Sequence, residues 1–488
     1  MPVYRGDFVT VDVQRLGDGP DGLAKIDDYV VFVPGVLPGE RATIEITSAA
    51  RKFGRGQISE LQRASQDRVD PQCRHFLSCG GCHLQHLNYD RQLQEKQVRI
   101  ERAVNFAHRN IAQQGSQHAS RHTAQHASQP PARLSAHTDA PYETPPVLDT
   151  VAAVEPYGQR HKVVLHLHND GHRLVPAFHR ARSLDLIPIS ECPASEPAAL
   201  QLAMRAVDLL AGLGYAAWDP DFGRDGNLRC VLVRRTTTGQ SHLVIVARSD
   251  GELNIDGILD DLHHAGATTI SINWNDGEVS RLLGRDTERI SGPDRIVEQL
   301  GEFDYPISAS SFFQTAPSMA LEIVKHVVDW LQPSQHDFVA DLYCGGGLLT
   351  LPLAVRSRHT FGIELSERAI TDAWAAADAN DVRNVTFRSG HVDDWLRRSR
   401  NGDLPEPDLV ALDPPRSGLE DQVIEELQRS PARRLSYVSC EPAALQRDLV
   451  KLAAAGFRTV KVTPFDMFPQ TGHVESVASL ERVQPPRR

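Results

Sequence analysis

No stretch of this sequence reaches the roughly 18 uninterrupted apolar residues that a membrane span needs. The opening Met1-Pro-Val-Tyr-Arg-Gly-Asp also lacks the apolar core of a signal peptide, so a cytoplasmic protein with no membrane contact is expected. Cysteine is scarce. Seven unevenly placed residues in 488 exclude a disulfide scaffold, and each is read singly as a ligand, a nucleophile or a core residue. Positive charge is in deficit, 52 Lys and Arg against 63 Asp and Glu, and the net -11 excludes a chain that coats nucleic acid through bulk charge. Residues 51–107 run against that trend, with ten Lys and Arg and six Asp and Glu, a local +4. Such a patch suits a polyanion, and an ordinary solvated face fits it equally well.

At about 150 residues per domain the length predicts roughly three domains. A content of 41% hydrophobic and 24% charged residues is the balance of a globular chain. Within residues 1–65, short β-rich runs at 8–13, 29–33 and 42–46 are punctuated by Gly17, Gly19, Gly22, Pro34-Gly35 and Pro38-Gly39, the pattern of a small β-barrel. Residues 86–108 carry Leu87, Leu93, Val98, Ile100 and Val104 among polar neighbours, which predicts an amphipathic helix. Residues 109–148, rich in Gln, His, Ser, Ala and Pro, cannot bury a core and are expected to be a disordered insertion. His118, His122 and His126 recur there every four residues, but the surrounding low complexity makes this incidental and no metal is assigned. Segments 66–85 and 149–305 are expected to form an α+β central domain, with a hairpin of 228–234 and 242–246 that buries Cys230. From 306 to 488 strands alternate with helices, the mark of an α/β doubly wound parallel sheet.

That last segment carries a cofactor pattern. A strand at 338–343 runs into Cys344-Gly-Gly-Gly and an apolar helix, and a second at 360–364 ends in Glu364, an acid able to accept both hydroxyls of a ribose. A dinucleotide site shares these features, but the spaced G-x-G-x-x-G is absent and S-adenosylmethionine fits the Gly-Gly-Gly turn better. A further strand ends in Asp413-Pro-Pro-Arg416. Two prolines fix the backbone where a substrate must meet a methyl donor, although a plain strand-terminating turn would read the same.

Residues 435–439 read as the next strand, followed by Cys440 and by Pro442 in the first turn of a helix. Unpaired N–H groups at a helix N-terminus stabilise a thiolate, so Cys440 is a candidate nucleophile, with an inert buried cysteine as the alternative. Glu475 stands at the start of the last strand, where thiolate and carboxylate can converge. A soft thiolate suits conjugate addition to C6 of a pyrimidine, which makes the unreactive C5 nucleophilic toward a sulfonium methyl group. A base must then remove the C5 proton so that the thiolate can leave, a task for Glu475. Near the other end, Cys73, Cys79 and Cys82 have C-x5-C-x2-C spacing, and Cys192 is a fourth thiol far along the chain. Four thiolates suit zinc or an iron–sulfur cluster. Spacing alone does not choose, and His75, His83 and His86 favour zinc on general grounds.

Ser311-Phe-Phe-Gln314, Asp341-Leu-Tyr-Cys-Gly345, Asp413-Pro-Pro-Arg416, Ser439-Cys440-Glu-Pro442 and Phe468-Pro-Gln-Thr-Gly-His-Val-Glu475 resemble, in order, the motifs of the RNA 5-methyluridine methyltransferase family. The resemblance spans nearly the whole chain outside residues 109–148. It implies a catalytic domain over 306–488 in which Cys440 is the nucleophile and Glu475 the base, while Gln314, Tyr343, Glu364 and Asp413 line the pocket for S-adenosylmethionine and the target base. It implies that residues 1–65 are a TRAM domain, an OB-like RNA-binding barrel, and that helix 86–108 packs with the catalytic domain. The cysteine spacing with Gln85-His86-Leu87 after it resembles the [4Fe-4S] module of the ribosomal-RNA branch, held by Cys73, Cys79, Cys82 and Cys192. Structured RNA, 23S ribosomal ahead of transfer RNA, is then the expected substrate, with no obligate protein partner. Ala316, Glu441 and the insertion depart from the family pattern, and Glu441 beside the thiol would oppose its ionisation unless it points away. The rival readings are an amino-methyltransferase, which needs no thiol, and a non-catalytic RNA-binding or redox-sensing protein. A radical S-adenosylmethionine enzyme would use C-x3-C-x2-C instead.

Overall fold

Alternation of apolar and polar positions curls the N-terminal segment into a closed barrel. The computed structural model describes residues 3–17, 19–125, 144–171, 173–218, 226–277 and 281–483, with the side chains of 114–125 outside the description. Strands Phe8–Leu16, Gly22–Ile26, Tyr29–Val33, Phe53–Arg63 and Arg41–Ala49 are neighbours in that order, and the last pairs with the first. Val11, Val13, Val31, Val33, Ile44 and Ile46 fill the interior at period two. Gly22 is required where it stands, since a Cβ there would lie 2.4 Å from Val36 Cγ2 and 2.8 Å from the Val36 carbonyl oxygen.

By its contacts the chain divides into two compact units, residues 1–95, 153–320 and 467–472 in one, and 96–152, 321–466 and 473 onward in the other. Barrel and central sheet share the first of these units. The central sheet has seven strands, and the predicted hairpin is there as Leu228–Arg235 paired antiparallel with Ser241–Ala247, Cys230 buried within it. Helix Pro197–Gly212 covers this sheet with Ala199, Leu202, Ala203, Ala206, Val207 and Leu210. Pro197 opens the helix and the Glu196 carboxylate caps it, accepting from the Ala199 N–H at 2.6 Å.

The second unit is built on a seven-stranded sheet in the order Val385–Ser389, His359–Glu364, Phe338–Leu342, Leu409–Leu412, Arg434–Ser439, Glu475–Arg482, Phe457–Phe465. The first five are parallel and Glu475–Arg482 runs antiparallel to both its neighbours. Runs such as Leu409–Leu412, buried throughout, are what a parallel sheet covered on both faces demands. The expected doubly wound sheet is present, with one reversed strand.

The amphipathic helix runs Tyr89–Gln125, so it starts three residues later than expected and does not stop at 108. Its Ile100, Val104 and Ala107 share the core of the second unit with Trp395, Leu435 and Phe457. Lys96 on the same helix forms an ion pair with Asp466, both side chains almost fully buried. Of the disordered insertion expected over 109–148, the part to Gln125 is helical and Val147 forms a β-bridge with Val462. Its residues 126–143, and with them the last of the three spaced histidines, His126, lie outside the described residues.

Candidate active site

Parallel neighbours in a sheet bring their carboxyl ends to one edge, and four of the five chemistry-bearing residues of this unit stand there. Tyr343 follows Phe338–Leu342, Glu364 ends His359–Glu364, Asp413 follows Leu409–Leu412 and Cys440 follows Arg434–Ser439. The fifth arrives from the opposite direction. Glu475 begins the antiparallel strand whose register pairs Ser439 with Ser476, so Cys440 and Glu475 each adjoin a member of that last pair, and the Glu475 charge acts on the thiol. The Ser476 hydroxyl donates to the Ser439 carbonyl at 3.2 Å and pins this end of the pair.

The glycine turn holds the first two strand ends together. The Cys344 N–H donates to the Ile363 carbonyl at 3.0 Å, and the Glu364 carboxylate accepts from Gly345 N–H at 3.3 Å and Ser366 N–H at 2.9 Å. Tyr343 takes a left-handed φ of 67° to enter the turn, and its buried hydroxyl has no partner among the described residues. Beneath it Asp341 is fully buried. One carboxyl oxygen accepts from the Thr350 hydroxyl at 2.5 Å, and the other has no partner among the described residues. Burial pushes Asp341 up to about 7, and the charges of Asp413 and Glu364 add to the shift. Asp413 is likewise pushed up to about 7 by burial and then by Glu364. Three crowded carboxyls with an orphaned oxygen suit a ligand that brings positive charge and hydroxyl donors, as a sulfonium nucleoside does.

Around the thiol the balance is different from the one expected. Burial, followed by the Glu475 charge, pushes Cys440 up to about 11, with Arg416 opposing and Asp413 adding. Helix Pro442–Ala454 begins two residues after the thiol. The strongest charges on it come from Glu475, Arg416 and Asp413 rather than from Glu441. Glu475 is itself pushed up to about 8, first by burial and then by Asp413, again with Arg416 opposing.

Gln314 belongs to the first unit, apart from the other expected pocket residues. Buried Arg234 grips its segment by donating to the carbonyls of Ser311 and Phe313 at 3.0 and 3.1 Å. Cys73, Cys79, Cys82 and Cys192, also in the first unit, are free thiols that line one cavity of about 410 Å³. Gly81 N–H donates to Cys79 Sγ at 3.3 Å and Arg160 Nη2 to Cys82 Sγ at 3.4 Å. Burial raises the thiols of Cys73 and Cys79, and the other cysteines add to it. Among the described residues no group of three or more His, Cys, Asp or Glu is set to hold a metal ion.

Two residues escaped the sequence reading. Asp341 was legible as an acid inside an otherwise apolar strand, a position that carboxyls occupy only with a reason. Arg416 was in view within Asp413-Pro-Pro-Arg416, but nothing local told that its charge reaches both Cys440 and Glu475.

A family model described as tRNA (Uracil-5-)-methyltransferase matches residues 286–483, and one for the TRAM domain matches residues 2–59. The chain is 30% identical to an uncharacterized RNA methyltransferase of Halalkalibacterium halodurans over 98% of both chains. It is 31% identical to another from Oceanobacillus iheyensis, over 98% of this chain and 97% of the relative. Among solved structures, the Pyrococcus abyssi tRNA (uracil-54, C5)-methyltransferase in complex with S-adenosyl-L-homocysteine is 26% identical, with a TM-score of 0.72 over 97% of this chain and all of its own.

Proposed function

We infer what this site does from one premise: the chain belongs to the RNA (uracil-5-)-methyltransferase family and is an S-adenosylmethionine-dependent enzyme acting on RNA. The proposed reaction is methylation of C5 of a uridine in structured RNA through a covalent adduct. The observation that carries it is that Cys440 directly follows Ser439, whose strand partner Ser476 directly follows Glu475, and that the Glu475 charge acts on the Cys440 thiol. The Cys440 thiolate bonds through Sγ to C6, and the C5–C6 electron pair becomes available at C5. Bound S-adenosylmethionine supplies the methyl group that C5 then takes. Glu475, in its ionised form, accepts the C5 proton, the double bond re-forms and the Sγ–C6 bond breaks, returning the thiolate. A buried carboxyl raised to about 8 is a stronger base than an exposed one, which suits removal of a carbon-bound proton. Tyr343, Glu364 and Asp413 are proposed to line the cofactor and base pocket, and Gln314 is proposed to bind the cofactor.

Four half-buried thiols line one cavity, and Cys73, Cys79, Cys82 and Cys192 are proposed to hold a [4Fe-4S] group. The pairing of such a module with a TRAM barrel favours ribosomal over transfer RNA. Transfer RNA is the second reading, favoured by the substrate of the Pyrococcus abyssi protein. The expected site of action is the cytoplasm. The test is full-length protein with radiolabelled S-adenosylmethionine and transcripts of 23S ribosomal and transfer RNA. Wild type should yield 5-methyluridine, Cys440→Ala should form no adduct while still binding cofactor, and Glu475→Gln should accumulate a covalent RNA–protein species that survives denaturing gels. An adduct in Cys440→Ala, or wild-type turnover in Glu475→Gln, removes the corresponding assignment.

A further inference from the structure

The loop after Asp413 has an anchor that the reaction scheme does not use. Asp448, on helix Pro442–Ala454, is fully buried. One of its carboxyl oxygens accepts from the Leu419 N–H at 2.8 Å and from the Tyr437 hydroxyl at 2.8 Å, while the other accepts from Arg447 Nε at 2.9 Å. Arg447 then donates to the Ser417 carbonyl at 2.5 Å, so both ends of the 417–419 segment are held. Between them Gly418, at φ 78°, passes so close that a Cβ would stand 2.2 Å from the carboxylate and 2.3 Å from Arg447 Nη2. Only glycine fits a backbone pressed this tightly against a charged pair.

We propose that Asp448 is a positioning residue that latches the loop bearing Asp413 and Arg416 to the strand leading into Cys440 and to the helix leaving it. Tyr437 lies on that strand, three residues before the nucleophile, and Arg447 lies beside Asp448 on that helix. One carboxylate thereby ties together three segments that each carry or adjoin an active-site group. The latch matters because Asp413 and Arg416 are charges that act on both Cys440 and Glu475. Misplacement of such groups by about 1 Å costs as much as a hundredfold in rate.

The inference rests on the proposed reaction for its effect on turnover, but not for its effect on the thiol. Full-length Asp448→Asn, Tyr437→Phe and Gly418→Ala are compared with wild type in three measurements. These are S-adenosylhomocysteine affinity by calorimetry, alkylation of Cys440 by iodoacetamide at pH 8 followed by mass spectrometry, and methyl transfer. With the latch released, the Asp413 and Arg416 charges no longer hold their places relative to the thiol, so alkylation should change several-fold while kcat drops roughly tenfold or more and S-adenosylhomocysteine affinity stays unchanged. Should Asp448→Asn fail to fold, Tyr437→Phe and Gly418→Ala carry the comparison. Wild-type alkylation and wild-type kcat in those two variants overturn the latch, as does a loss of kcat that only mirrors the fraction of protein able to bind S-adenosylhomocysteine. If wild type methylates no uridine, the proposed reaction fails, and the alkylation comparison still decides the latch.

Discussion

Removing the charge of Glu475 should make Cys440 a better nucleophile while stopping the enzyme. In wild type the thiol is pushed up to about 11, and Glu475 is the largest charge acting on it. Two unit charges about 5 Å apart at an effective dielectric of about 20 interact by roughly 3 kcal/mol. Partial solvent access at the half-buried thiol screens this, and about one pKa unit, near 1.4 kcal/mol, is the expected relief in Glu475→Gln. At pH 9.5 a thiol at about 11 is roughly 3% ionised and one at about 10 roughly 24%, so alkylation should be about eightfold faster in the variant. Because Glu475 titrates at about 8, it is uncharged at neutral pH, and the two profiles should coincide below pH 8 and part above it. The assay is the iodoacetamide rate at Cys440 from pH 7 to 10.5, read by peptide mass spectrometry. Profiles that overlap throughout, or a slower variant, would refute the electrostatic coupling inferred from the strand register.

Three further outcomes are expected. Asp341 is raised to about 7 from an unfolded value near 3.9, so its share of stability is complete below about pH 4 and is lost as pH rises through 7. This is worth up to about 4 kcal/mol, and urea unfolding at pH 5 and pH 8 should show that the difference shrinks in Asp341→Asn. Lys96→Met removes the buried cationic partner of Asp466 and should cost about 3–5 kcal/mol, most of it recovered in the double variant with Asp466→Leu; a loss below about 1 kcal/mol would mean the pair is not held as described. Protein prepared without air should carry iron, and Cys192→Ser should reduce both iron and folded yield. One zinc and no iron by elemental analysis would reject the cluster while keeping the four ligands.

What composition and pattern decided was the set of buried elements. A parallel strand covered on both faces has to be an unbroken apolar run, so residues 409–412 and 435–439 announced themselves, as did the hairpin around Cys230. Barrel strands Gly22–Ile26 and Phe53–Arg63 were less visible because glycines interrupt their alternation where the backbone is crowded, at Gly22 and Gly54. The helix end expected at 108 fails for a different reason. A segment too polar to bury a core reads as disordered, yet its Gln and Ala are sound helix formers, and burial is a separate requirement from propensity.

The motifs named Cys440, Glu475, Glu364 and Asp413 without any geometry, since each stands at a strand end that the sequence already marked. Their chemistry was decided only by folding. Cys440 and Glu475 are far apart along the chain, and an antiparallel register makes them neighbours. The sign of the thiol's shift also had to wait for the structure. A helix start argues for a lowered value, whereas burial and the Glu475 charge, both products of tertiary contact, raise it. For the same reason Asp341, Arg416 and Asp448 acquired roles only once the sheet was assembled: a charge acts through distance and surroundings in space, and neither can be read along one dimension.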